Sequence, residues 1–239
     1  MSTFSLEGAQ NSFSWDAGLM VARGNVPKMT SIDKFGYNPD VSTSYETIWD
    51  GSNIYTYPGS ALAMTVTSAA GATDAGVEIT VVGLDTNYLD QSETVTLNAS
   101  GTATTTKSFL RVFRAYVSNG SEPTGNVTIA NGGTTYAQIT YPYNQTLMAV
   151  YTIPANKRAY LLAGNISVEK QKEVVAKLMV RPYQGVFQTK GIISTFGVPF
   201  QRRWVIPPII PPKADIELRA YAGATTSIAA GFEILLEDL

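Results

Sequence analysis

The chain has 239 residues, a formal net charge of −2, only 15% charged residues, and neither histidine nor cysteine. Histidine is the usual acid–base side chain near neutral pH, and histidine and cysteine supply most zinc and soft-metal ligands. Their absence excludes Ser-His-Asp and Cys-His catalysis, imidazole or thiolate metal sites and a disulfide framework, and the mild negative charge leaves no electrostatic footprint for nucleic acid.

Residues 1–58 show no sustained period of 3.6 or 2, because Gly, Pro, Asn, Asp and Ser interrupt every apolar pair. They are nonetheless rich in aromatics, among them Phe35, Tyr37, Trp49, Tyr55 and Tyr57, which a disordered tail would lack. The stretch reads as an extended N-terminal arm that buries these five anchors against a partner. Residues 17–22 suit one short helical turn.

Residues 59–143 form a first β block. Val77, Ile79 and Val81 alternate with Glu78 and Thr80, and residues 110–117 make a longer strand. Gly120, Pro123-Thr124-Gly125 and Asn131-Gly132-Gly133 punctuate the runs as turns. Residues 144–239 form a second β block. Residues 147–153 and 159–168 read as strands, as do the alternations around Leu178, Leu218 and Ile234. The prolines of Pro207-Pro208-Ile209-Ile210-Pro211-Pro212 place that stretch at a sheet edge or in a crossing between sheets. Residues 168–178 carry helix-favouring Glu, Lys, Gln and Ala, but the flanking strands favour a hairpin there. The fold expected is all-β: one or two jelly-roll-like sandwiches behind the arm.

Ordinary domains carry roughly 25% charged residues. A surface so poor in charge suits quaternary contact, since little charge must be desolvated. It predicts a homo-oligomer with closed cyclic symmetry, a homotrimer. No window approaches 18 apolar residues, so no membrane-spanning helix is expected. The opening Met-Ser-Thr-Phe-Ser-Leu-Glu-Gly has no basic and apolar signal-peptide regions.

Three constellations bear on chemistry. Asp85, Asn87, Asp90 and Glu93 form an oxygen-rich loop, but without EF-hand spacing it reads as a solvated turn and not a calcium site. Tyr183, Phe187, Trp204 and Tyr221 are candidates for a platform that stacks a host glycan. Phosphate-binding glycine loops and Gly-x-Ser-x-Gly elbows are missing. No catalytic residue, cofactor or metal is expected, and the chain does not read as an enzyme.

The most distinctive local pattern is Lys34-Phe35-Gly36-Tyr37-Asn38-Pro39-Asp40-Val41, then Glu46-Thr47-Ile48-Trp49-Asp50-Gly51, then Tyr55-Thr56-Tyr57-Pro58. It resembles a motif of structural proteins from tailed bacteriophages. The second block, from Tyr151-Thr152-Ile153-Pro154 through Arg181-Pro182-Tyr183 to Phe232-Glu233-Ile234, is similar to the C-terminal β domain of the same group. The resemblance implies a virion component assembled in the host cytoplasm, a capsid decoration (cement) protein bound to the major capsid protein. The alternative is a tail, fibre or adhesin component whose β domain binds host surface glycans.

Overall fold

Period-two alternation becomes seventeen strands in the computed structural model, which describes residues 17–239 apart from 52 and 170. After the short helix α1 (Ala17–Ala22), the chain enters β1 (Met29–Val41) and β2 (Glu46–Thr47). Seven strands follow: β3 (Leu62–Ser68), β4 (Glu78–Leu84), β5 (Asp90–Thr96), β6 (Thr102–Phe109), β7 (Arg111–Val117), β8 (Val127–Asn131) and β9 (Thr134–Ile139). Eight more complete it: β10 (Val150–Thr152), β11 (Lys157–Val168), β12 (Glu173–Arg181), β13 (Gln188–Phe196), β14 (Phe200–Arg203), β15 (Ile209–Ile210), β16 (Asp215–Ala222) and β17 (Thr226–Asp238). The described pairings are antiparallel throughout.

The strands from Leu62 to Ile139 make one sandwich, with sheets ordered β6-β3-β8-β9 and β5-β4-β7. Met64 and Val66 of β3, Ile79 and Val81 of β4, and Ile129 of β8 turn inward and build its core. Burying each such side chain favours folding by about 1.5–3 kcal/mol relative to leaving it in water.

The remaining strands make a second sandwich. Its sheets run β1-β17-β11-β14, with β15 on β11, and β10-β16-β12-β13, with β2 on β16. Leaving out the two-residue strands β2 and β15 and numbering along the chain, the orders are 1-8-3-6 and 2-7-4-5. Eight antiparallel strands in two such sheets are jelly-roll-like. The alternating Ile228, Ala230, Phe232, Ile234 and Leu236 of β17 share a core with Val174, Ala176, Leu178 and Val180 of β12. Helix propensity over residues 168–178 is overridden because β12 finds partners on both sides, β13 and β16. The chain thus holds two sandwiches, and the first is an insertion between β2 and β10 of the second.

The expected arm is corrected from Met29 onward, while residues 1–16 lie outside the described residues. β1 is a 13-residue strand paired with β17 from Met29↔Glu237 to Val41↔Thr226. Its period was hidden because its inward positions are Lys34, Gly36 and Asn38, all buried, while Phe35 faces outward. Gly36 sits there because the neighbouring chain passes close: a Cβ would lie 2.2 Å from the Ile48 carbonyl oxygen and 2.5 Å from the Ala149 nitrogen.

The anchors change meaning with it. Trp49 and Tyr55, each 3% exposed, belong to the core of the inserted sandwich, their rings edge-to-face at 5.2 Å. Tyr57 lies half-buried beside Tyr55, Tyr37 is half-buried against Tyr143, and Phe35 alone of the five stands exposed. Four of the five therefore pack on the chain's own body.

Candidate functional site

Two surfaces stand out. The first is one edge of the jelly-roll-like sandwich. β13 ends one sheet and β14 ends the other, so both offer backbone groups with no neighbouring strand on one side. Large apolar side chains crowd this edge: Val186, Ile192, Phe196, Val198, Phe200 and Ile209 are exposed, and Val205 and Ile206 are 98% and 85% exposed. Monomeric proteins rarely leave such a run uncovered. Between Val186 and Ile209 the charged residues are Lys190, Arg202 and Arg203, with no acid among them. The opposite edge of the same sheet is β1, where Phe35 is exposed beside the exposed acids Asp33 and Asp40.

The second surface is the junction of the two sandwiches. Asp215, the first residue of β16, is buried and shared by two guanidinium groups. Arg111 Nε donates to Oδ1 at 2.8 Å, and Arg181 donates to Oδ2 through Nη2 at 2.6 Å and Nε at 2.8 Å. Thr152 Oγ1 adds a 2.6 Å bond. Two residues on, the fully buried Glu217 accepts the Tyr57 hydroxyl at 2.9 Å and pairs with Arg219. Burial raises the Glu217 carboxyl above the usual range, with Arg219 opposing. The same burial, and then the Glu217 charge, push the Tyr57 hydroxyl well up.

Beside this network lies an open cleft of about 220 Å³, lined by Tyr88 from the inserted sandwich and by Arg181, Tyr183, Gln184 and Lys213 from the other. The Tyr88 and Tyr183 rings meet edge-to-face at 5.6 Å. The Lys213 ammonium sits 5.0 Å from the Tyr183 ring centre and 5.5 Å from that of Tyr88.

A larger cavity of about 430 Å³ opens elsewhere along the junction, with Lys34, Phe113 and Tyr151 in its walls and Asp90, Arg114 and Lys157 around them. Lys34 Nζ donates to the Phe113 carbonyl at 2.5 Å, and burial lowers its pKa to about 7. Burial likewise raises Asp50 to about 7, and its Oδ1 has no hydrogen-bond partner.

The proposed glycan platform does not assemble as one surface. Tyr183 joins the cleft, Phe187 packs on Tyr57 at 5.7 Å, Trp204 stacks under Arg202 at 5.0 Å, and Tyr221 meets Tyr45 at 4.8 Å. The acidic loop is a turn: Asp85 Oδ1 accepts the backbone N–H groups of Asn87 and Leu89, and Glu93 accepts those of Thr106 and Lys107. Among the described residues, no group of three or more acidic side chains is placed to hold a metal ion. Sequence reasoning missed Arg111, Lys213 and Tyr88. Their partners are distant along the chain, and only the adjacency of Val205 and Ile206 to a Pro-Pro pair hinted at the exposed edge.

No family model and no curated protein matches the chain. Among solved structures it is similar to that of the Gt strain of infectious bursal disease virus, at 10% identity over 93% of this chain and 78% of that one, with a TM-score of 0.23. It is also similar to a mutant VP2 protein of the same virus in T=1 particles, at 12% identity over 89% of this chain and 72% of that one, TM-score 0.24. The PBSX exported protein XepA matches at 12% identity over 86% of this chain and 84% of that one, TM-score 0.21. At such scores the similarity carries no argument; the fold rests on the strand order, and the function on the surfaces.

Proposed function

We propose that this chain is a structural protein of a viral particle, a decoration protein that assembles as a homotrimer on the shell of the major capsid protein. The observation that carries the assembly is the apolar, acid-free edge from Val186 to Ile209. Water contact with so much apolar surface is unfavourable, and pairing it with another subunit removes that cost. The partner we assign is the β1 edge of the next copy, where Phe35 supplies apolar surface and Asp33 and Asp40 complement Arg202 and Arg203. A contact between two different edges is head-to-tail, and with suitable rotation it closes into a ring. The shell as binding surface is what the motif resemblance implies, and no catalytic role is assigned.

Sedimentation equilibrium of the purified chain is expected to give three times the monomer mass. Arg202→Glu with Arg203→Glu is expected to yield monomer, and mixing it with Asp33→Lys, Asp40→Lys chains is expected to restore association. A wild-type monomer, or no rescue, overturns the assigned contact. The virion role is checked separately by mass spectrometry and density maps of purified particles: absence of the chain from them overturns it.

A further inference from the structure

The cleft at the sandwich junction has a chemistry that assembly does not use. We infer that it binds a single-ring acidic sugar, whose carboxylate pairs with Lys213 and Arg181 while its ring lies against Tyr88 and Tyr183. This site is independent of the particle to which the chain belongs.

Charge comes first. The cleft brings Arg111, Arg181 and Lys213 against the one carboxylate of Asp215. Arg111 is committed: its donors reach Asp215, the carbonyls of Pro58 and Leu110, and the Tyr88 hydroxyl. Arg181 spends Nε and Nη2 on Asp215, which holds its guanidinium in place and leaves Nη1 free. Lys213 makes no side-chain hydrogen bond or ion pair, and its ammonium stands over two aromatic rings. A second anion in this cleft would therefore meet an excess of positive charge from donors already held in position.

Backbone conformation points to the same place. Six described non-glycine residues have positive φ, and three of them line this cleft: Tyr88 at 63°, Gln184 at 60° and Lys213 at 61°. Gly or Asn adopts this conformation at lower cost than Tyr, Gln or Lys. Such strain is held by its surroundings and gathers where side chains act on ligands. Here the loops are clamped across the junction. The Lys213 N–H donates to the Ile153 carbonyl at 2.9 Å, and the Tyr88 carbonyl accepts the Ala155 N–H at 2.8 Å. The three side chains are thus held ready at the cleft in a backbone state that a smaller residue would suit better.

Size and lining select the ligand. At about 220 Å³ the cleft is smaller than the roughly 300–1,000 Å³ pockets of drug-sized ligands. Two tyrosine rings and the Gln184 amide suit a ring bearing hydroxyls, whereas a bare phosphate would use only the cations.

The test uses the full chain and sodium glucuronate, followed by ligand-observed NMR and calorimetric titration, with glucose and inorganic phosphate as comparison ligands. Saturable glucuronate binding is expected, with glucose and phosphate each weaker by about tenfold or more, the scale of one charge-assisted hydrogen bond. Lys213→Asn is the informative variant. Asn tolerates positive φ, so this variant is expected to melt at or above the wild-type temperature while losing about tenfold in glucuronate affinity. Tyr183→Phe, which keeps the ring, is expected to retain most of the binding. Absence of saturation up to roughly 10 mM, far weaker than a millimolar complex, overturns the site. Unchanged affinity in folded Lys213→Asn overturns the role of the ammonium, and phosphate binding as tight as glucuronate overturns the sugar.

Discussion

Lys34 and Asp50 carry opposite charges into the same buried region, and each is held near pH 7 by burial. Their effects on stability have opposite slopes. Asp50 has an ordinary value of 3.8 and about 7 in the fold, so between these limits the native state holds a proton that the unfolded chain has released. Stability from Asp50 therefore falls as pH rises across that window. Lys34 drops from 10.5 to about 7, so above neutrality the unfolded chain holds the extra proton and stability rises toward pH 10. The pair places a local minimum near pH 7. Asp50→Asn is expected to remove the acid-side slope: the melting temperature of the variant minus that of the wild type should climb steadily from about pH 4 to pH 7. A flat difference would show that Asp50 titrates as an ordinary exposed carboxylate. The orphaned Oδ1 supports the stated sign, because nothing in the fold compensates a second charged oxygen.

At the scale of elements, β1 is the decisive strand. It covers the inner edge of β17 along its length, and β17 supplies Ile228 through Leu236 to the core. A chain beginning at Ser42 would leave β17 without that neighbour. It is expected to lose cooperative melting and to aggregate through the bared edge; a melting temperature within about 3 °C of the full chain would mean that β1 is dispensable. The same strand shows where sequence reading reached its limit. Strands with Val, Ile and Leu on one face, such as β4, β12 and β17, were legible because water lay on one side and core on the other. β1 was not, because its buried face is Lys34, Gly36 and Asn38, chosen for close backbone approach and for bonds across the junction. Trp49 and Tyr55 were recognised as anchors but assigned to a foreign partner: an aromatic between turns reveals that it will be buried, not against what. In the candidate site, Tyr183 was legible as an exposed aromatic. Lys213 and Arg111 were not, since their meaning arises only when segments far apart in sequence meet. The seven-strand insertion was invisible for the same reason, because β1 and β10 give no local sign that they belong together.

For the whole molecule, the question is whether two sandwiches behave as one body. The seam is the start of β7, where three consecutive residues bond across it. Arg111 reaches Asp215, the Val112 carbonyl accepts the Tyr55 hydroxyl at 2.9 Å, and the Phe113 carbonyl accepts Lys34. Phe113 also packs on Tyr151 at 4.6 Å between ring centres. These contacts are buried, so separating the sandwiches would hydrate two cores' flanks and unpair Asp215 from one of its two cations. Breaking a buried pair from one side typically costs about 3–5 kcal/mol, because the charge left behind keeps its desolvation penalty. That exceeds the thermal energy separating two marginally stable halves, so the intact chain is expected to give a single calorimetric transition whose calorimetric and van't Hoff enthalpies agree. Arg111→Met keeps much of the volume but removes the cation. It is expected to lower the main transition and resolve it into two, the inserted sandwich and the jelly-roll-like body melting separately. Arg181→Met removes the other cation of Asp215 without touching β7, and is expected to lower the transition while leaving it single. Two transitions in the wild type, at temperatures that Arg111→Met does not move, would show that the insertion is an independent domain and that the charge network is a bystander.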